Sequence, residues 1–334
     1  MQLYSHIYSL VHTRKNLREG HSLIQLLQLF RGLEATEDRD QLFAFWGLAR
    51  GNLPIPDYQC STRSVFVQMA RWLLENSKDL FLLSMGLGTY PQLPSWVPNW
   101  STKSPSENVD RRRRNNDWRR RLHCLSTYDS AKGIARSVVF EQPETLCLRG
   151  MLVDKVGKVA EQILTSEDAV EHAALIRSWR EFACSSGPSQ LLTDQFAETM
   201  IEGCSHYGSS GFPAADASDI SHCKMMLNRI MIDGNFDDVA DEFLSIRQAH
   251  VGAIFDRALF RTMNSMLLGL GPVDLRETDE IWILGGGKSP YVLRHAKEDS
   301  SGTSYILIGH AYVNGIMQGQ AVGPSPQLQE CRLA

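Results

Sequence analysis

Long apolar runs are missing from this chain. No stretch approaches the roughly 18 uninterrupted apolar residues that a membrane-spanning helix needs. The N-terminus, Met1-Gln2-Leu3-Tyr4-Ser5-His6, has no basic segment followed by an apolar one, so a secretory leader is not expected. Cysteine pairing is missing too. The seven cysteines (Cys60, Cys124, Cys147, Cys184, Cys204, Cys223 and Cys331) are odd in number and scattered, with no CxxC pair. Neither a zinc site nor a disulfide framework follows from such spacing. Free thiols in a reducing compartment, and hence a cytoplasmic location, are the expectation. Positive charge is not in excess either: the net charge of −4 lacks the basic footprint of a general nucleic-acid binder.

The common catalytic signatures are also absent. There is no Gly-x-Ser-x-Gly elbow and no His-Glu-x-x-His, and the ten histidines are dispersed. Gly285-Gly286-Gly287-Lys288-Ser289 superficially resembles a phosphate loop, but the required earlier glycine is Trp282 and the flanks read as strands; a hairpin turn is expected. Asp233-Gly234-Asn235-Phe236-Asp237-Asp238 lacks the alternating ligands and closing glutamate of a calcium loop and reads as a turn with a helix cap. The arginines at 111–114 and 119–121 around Trp118 read as a solvated loop. No cofactor and no metal are expected.

What is present is the composition of a folded chain. Of 334 residues, 43% are hydrophobic and 22% charged, enough to build one large domain or two ordinary ones without disulfides. Residues 22–32 read as an amphipathic helix, and Asp40 to Leu48 as a second one ending near Gly51. Ser61 or Thr62 caps a third, with Val65, Phe66, Met69, Ala70, Trp72, Leu73 and Leu74 at helical spacing. In Leu93-Pro94-Ser95-Trp96-Val97-Pro98-Asn99-Trp100-Ser101 each proline interrupts a helical ladder, so both tryptophans must be pinned against something else. Farther on, residues 146–156 read as a strand bent at Gly150. Residues of about 165–250 are mostly helical, and the Gly/Ser-rich 203–219 stretch is where motion is expected. Arg261–Leu270, Glu280–Leu284, Tyr291–Arg294 and Tyr305–Val313 read as strands.

The predicted class is therefore α+β. A helical N-terminal half is joined to a small antiparallel sheet or barrel built from about 145–159 and 258–318, with a helical insertion. The predicted organisation is a helical region with its proline/tryptophan loop at 1–102, a polar arginine-rich loop at 103–130, and a β-rich domain at 131–334 interrupted at about 165–250.

Four segments, in this order, resemble blocks of the fungal heterokaryon-incompatibility (HET) family. Ala35-Thr36-Glu37-Asp38-Arg39-Asp40-Gln41-Leu42-Phe43-Ala44-Phe45-Trp46-Gly47-Leu48 is similar to its PRDK-(I/V)-(Y/F)-A-L-x-G-L block. Pro56-Asp57-Tyr58, Leu93 to Ser101, and Gly309-His310-Ala311-Tyr312-Val313-Asn314-Gly315-Ile316-Met317 follow. The resemblance implies that the HET domain proper would precede the first block, so that this chain corresponds to the downstream half. It departs from the family pattern at Asp38, Gln41, Asn99, His310, Asn314, Gln318 and Gln320, mostly by replacing charged groups with neutral hydrogen-bonding ones.

Two functions are compatible with these features. The first is a cofactor-independent biosynthetic enzyme of fungal secondary metabolism. It would be a cyclase or pericyclase of the intramolecular Diels–Alder type, acting on an apolar terpenoid or polyketide. Such a reaction needs no nucleophile, metal or redox group, only an apolar pocket that aligns the substrate and neutral donors that polarise a carbonyl. His310, Tyr312, Asn314 and Arg294 are its donor candidates, and Trp96, Trp100, Asn99 and Trp282 its substrate-contacting candidates. A purely structural role is open for His310, and for the tryptophans as glue between loop and helices. The alternative is a HET-family recognition or regulatory protein acting through protein–protein contacts. A closed pocket favours the first and an exposed apolar patch the second.

Overall fold

Local capping sets the helices of the first half. In a computed structural model that describes residues 22–29, 35–85, 93–101, 124–141, 144–161, 169–184, 193–205, 213–234, 243–299 and 302–334, helix α1 spans Leu23–Leu29. It starts with a reciprocal cap, in which the Gln25 amide N–H donates to Ser22 Oγ (3.4 Å) and the Ser22 N–H to Gln25 Oε1 (2.9 Å). Helix α2 is Asp40–Phe43 only. The helix expected to run on to Leu48 tightens instead into successive i→i+3 turns, Phe45 N–H to Leu42 O and Trp46 N–H to Phe43 O. The Trp46 indole then bonds Pro54 O at 2.6 Å, which suits the turned chain. Helix α3, Thr62–Asn76, is capped by Ser61 as expected and buries Val65, Phe66, Met69, Ala70, Leu73 and Leu74.

The strands are β1 (Val138–Glu141), β2 (Thr145–Val159), β3 (Arg257–Thr262), β4 (Leu268–Pro272), β5 (Glu280–Leu284), β6 (Tyr291–Asp299), β7 (Gly302–His310), β8 (Tyr312–Val313) and β9 (Gln329–Leu333). Their order is β5-β6-β7-β9-β2-β3-β4-β8, with β1 also on β2. Because β2 pairs with β5 as well, the pairings β5–β6–β7–β9–β2 return to their start. The ladders are antiparallel except β7–β9, which is parallel.

Several details differ from the sequence reading, each for a visible reason. Arg261–Leu270 is not one strand but the β3–β4 hairpin. The buried Asp154 carboxylate holds its turn by accepting from the N–H groups of Asn264 (3.0 Å) and Ser265 (2.8 Å). The strand expected at Tyr305–Val313 breaks at Ala311, whose N–H goes to Pro290 O, so that Tyr312 and Val313 pair with β4 instead. The irregularities in β2 lie between Leu152 and Asp154 and between Val156 and Val159 rather than at Gly150. Gly150 serves a close approach: a Cβ there would sit 2.5 Å from Ile283 O on β5. The sheet also reaches beyond 145–159 and 258–318, recruiting β1 and the C-terminal β9.

The insertion contains α4 (Ala169–Cys184), α5 (Asp194–Thr199), α6 (Ala217–Asp233) and α7 (Leu244–Ile254). Its own core of Trp179, Phe196, Met226 and Ile230 closes onto Leu259, Leu268 and Leu270 of β3 and β4. A separate core joins Leu26, Phe66, Leu74, Trp96 and Trp100 to Leu148, Leu284, Leu293 and Leu333, so the N-terminal helices and the sheet share one interior. The Gly285–Gly287 segment is the expected β5–β6 turn. Gly286 O accepts from the Leu80 N–H at 3.1 Å, and the Tyr291 hydroxyl donates to Leu80 O at 3.2 Å. No described helix is long and apolar enough to cross a membrane. The arginine run at 111–121, and residues 206–212 and 235–238 of the two other singled-out segments, lie outside the described residues.

Candidate functional site

The N-terminal blocks explain one another mechanically. The Arg39 guanidinium donates to the carbonyls of Tyr58 (2.7 Å) and Cys60 (2.9 Å), and the Tyr58 hydroxyl donates to Asp40 at 2.6 Å. Phe43 meets Tyr58 edge-on at 5.0 Å. Residues of the first block therefore clamp the Pro56-Asp57-Tyr58 loop. In the tryptophan loop, Trp96 is buried, donates its indole N–H to Glu144 O at 2.9 Å and leans on Phe140. Asn99 folds onto its own chain, its side-chain oxygen accepting from the Ser101 N–H at 2.9 Å. Ser95 holds the C-terminus by donating its N–H (2.8 Å) and hydroxyl (2.6 Å) to Ala334 O. Trp100 packs edge-on against Phe66 at 5.3 Å, and its buried Nε1 has no hydrogen-bond partner among the described residues.

The eight residues singled out from sequence do not form one constellation. Arg294 is bound to Asp279 through two 2.8 Å contacts and to Asp274 O. Trp282 donates to Glu280 Oε2 at 2.9 Å. Tyr312 and Asn314 do meet. The Asn314 amide donates to Tyr312 Oη (3.3 Å) and to Glu198 Oε2 (2.8 Å), while burial pushes the Tyr312 phenol well above its ordinary pKa.

His310 lies close to this pair in sequence but belongs to a polar junction beneath it. Its carbonyl accepts from Arg257 Nη1 at 2.7 Å. The same guanidinium pairs with Glu202 Oε1 at 2.9 and 3.3 Å, with both side chains 2% exposed. The Tyr128 hydroxyl donates to Glu202 O at 2.6 Å, and Cys204 Sγ lies 3.6 Å from it. Glu202 and Asp256 both take left-handed backbone conformations, with φ of 50° and 52°. The junction thus ties the insertion after α5 to β3, to the end of β7 and to the 124–128 turn. Glu198, Glu202 and Arg257 were not found by sequence reasoning, because no local spacing relates residues 55 positions apart that meet across the fold.

A second polar cluster sits on the sheet. Glu280, 5% exposed at its side chain, accepts from His295 Nε2 at 2.9 Å and lies 3.3 Å from Lys155 Nζ, in addition to Trp282. Burial alone would raise the Glu280 carboxyl; the bonds from His295 and Trp282 outweigh it and hold the group below its usual value. The strand reading included Glu280, yet nothing in it paired this residue with His295 or Lys155, whose meeting depends on strand register.

The insertion holds a third. His172 Nε2 on α4 and His250 Nε2 on α7 are 3.1 Å apart, and His250 Nδ1 is 3.0 Å from Met200 O. A carbonyl only accepts, so Nδ1 of His250 donates and its Nε2 takes the hydrogen of His172. Burial, with repulsion from Arg247, lowers the His172 pKa to about 4. Among the described residues, the only group of three or more candidate metal ligands is Glu141, Cys147 and Glu330. Arg332 ion-pairs with both carboxylates there, and burial raises the Cys147 thiol to about 11, so the cluster is read as an ion-pair network.

Fold and site together define an α+β scaffold whose polar groups mostly satisfy one another at junctions between elements. Residues 242–325, from just ahead of α7 through β8, match the Het-6 beta-barrel domain family. Over 358 aligned residues the chain is 24% identical to heterokaryon incompatibility protein 6, OR allele, of Neurospora crassa, covering 88% of this chain and 51% of that protein. The chain thus resembles a heterokaryon-incompatibility protein over most of its length, and it spans about half the length of this curated relative. No solved structure matches it.

Two outcomes follow from these contacts. Arg257→Met should leave the buried Glu202 carboxylate unpaired and cost about 3–5 kcal/mol in urea unfolding, with much of the loss recovered when Glu202→Leu is added. The depressed His172 pKa means that the unfolded chain binds a proton between about pH 6.5 and 4 that the folded chain refuses. Stability should therefore fall as pH drops through that window, and His172→Gln should flatten the decline in thermal melts.

Proposed function

We propose that this chain is a recognition or regulatory component of the heterokaryon-incompatibility type, acting in the cytoplasm through protein–protein contacts. The observation that carries the reading is the similarity over 88% of the chain to a protein named for heterokaryon incompatibility. The geometry is consistent with it, since Arg294, Asn314 and Trp96 direct their donors to Asp279, Glu198 and Glu144 of the same chain. In this reading β5, β6, β7, β9 and β2 form a small barrel that presents the connecting loops. Inducing the chain in a filamentous fungal recipient and fusing it with strains that carry different incompatibility alleles tests the proposal. Fusion compartments should take up a vital dye with some partners and not with others. Uniform survival with every partner would reject the reading.

A second reading keeps the cofactor-independent cyclase on an apolar terpenoid or polyketide, and one observation favours it. The Trp100 indole N–H is buried beside Phe66 with no partner among the described residues, a donor of the kind that would polarise a carbonyl in an aromatic-walled site. Trp100→Phe preserves the ring and removes the donor. Under this reading the purified chain converts a metabolite in a fungal extract without change of mass, and the variant loses most of that rate. Equal rates in both proteins, or no conversion at all, would dismiss it.

A further inference from the structure

Glu280 and His295 have the arrangement of an oriented base rather than of a plain surface ion pair. The carboxylate is buried and accepts only, so its 2.9 Å contact requires that Nε2 of a neutral His295 carry the hydrogen. The lone pair is thereby placed on Nδ1, which has no protein partner among the described residues, in a side chain 56% exposed. The imidazole is held from two further sides. Tyr305, its partner in the β6–β7 ladder, packs on the ring at 4.8 Å, and Trp282 fixes the other carboxylate oxygen. Lys155, opposite Glu280 in the β2–β5 ladder and 41% exposed, brings an ammonium to within 3.3 Å of the same carboxylate oxygen. Residues from β5, β6 and β7 thus hold an imidazole with an unpartnered Nδ1 among the described residues, and Lys155 of β2 pairs with the carboxylate that orients it.

We propose that this cluster is a hydrolytic site for small acyl esters, with His295 as general base, Glu280 as the residue that positions it, and Lys155 as the cation that keeps the Glu280 carboxylate ionised. Water gives a proton to His295 Nδ1 as its oxygen bonds to the acyl carbon. The acyl–oxygen bond to the leaving group then breaks, and the imidazolium returns the proton to the departing alcohol or to solvent. Ester and water become acid and alcohol, and no other reactant is needed. The activity is independent of the recognition function proposed above.

The test uses the full chain with p-nitrophenyl acetate. General-base assistance is worth about 10²–10⁴-fold, so p-nitrophenol release by the wild-type chain should exceed that of His295→Gln by about tenfold or more. His295 is largely exposed, so this variant should fold. Glu280→Gln should lose a comparable factor, whereas His222→Gln, at an exposed histidine on α6, should keep the wild-type rate. Long-range proton–nitrogen spectra should show the His295 proton on Nε2 in the wild type and partly on Nδ1 in a folded Glu280→Gln chain, which separates loss of the positioning bond from loss of the fold. Equal hydrolysis by wild type and His295→Gln, or the proton found on Nδ1, would overturn the assignment.

Discussion

Strand β2 is the constraint on which the other elements depend. Over its fifteen residues it pairs with β1 and β9 along its first half, with β5 across its middle and with β3 at its end. A strand sharing its backbone groups with four neighbours fixes their relative registers, because a one-residue slip would turn every side chain to the wrong face. The contact at Gly150, where backbone meets backbone on β5, sets how closely the ladders approach. Through β9 the strand also governs the C-terminus, whose Ala334 carbonyl is held by Ser95 of the tryptophan loop.

Around this strand the polar groups work as connectors between layers. Glu202 and Arg257 join the insertion to the sheet, Asp154 shapes the β3–β4 turn, and Leu80 receives both the glycine turn and the Tyr291 hydroxyl. Buried polar pairs of this sort add little net stability over apolar replacements but are costly to break singly, which favours one arrangement of the layers over others. The same logic makes the exceptions informative. Among the described residues, the Trp100 indole N–H without a partner and the half-exposed His295 imidazole are positions where internal satisfaction stops.

Much of the N-terminal half was legible in sequence. Ser61 and the periodicity from Val65 to Leu74 define α3, and the prolines around Trp96 and Trp100 exclude a helix. Both signals act over a few residues, through caps and backbone sterics, and survive whatever surrounds them. The glycine turn after β5 belongs to the same class. The candidate site was far less legible. Tyr312 and Asn314 meet as neighbours on one stretch of chain, but Arg294 is turned away to Asp279, and Glu280 finds His295 and Lys155 only through ladder register.

The sequence by itself determined the class of fold, the Ser61-capped helix, the glycine turn after β5 and the resemblance carried by four blocks. Tertiary structure alone decided that Tyr305–Val313 breaks at Ala311 to serve two different neighbours, that Gln329–Leu333 becomes a strand, and that His172 meets His250. The physical reason is range. Caps and prolines act on the chain's own next turn, whereas a strand's partner, a buried ion pair or a shared imidazole hydrogen exists only after segments tens to hundreds of residues apart have been packed together.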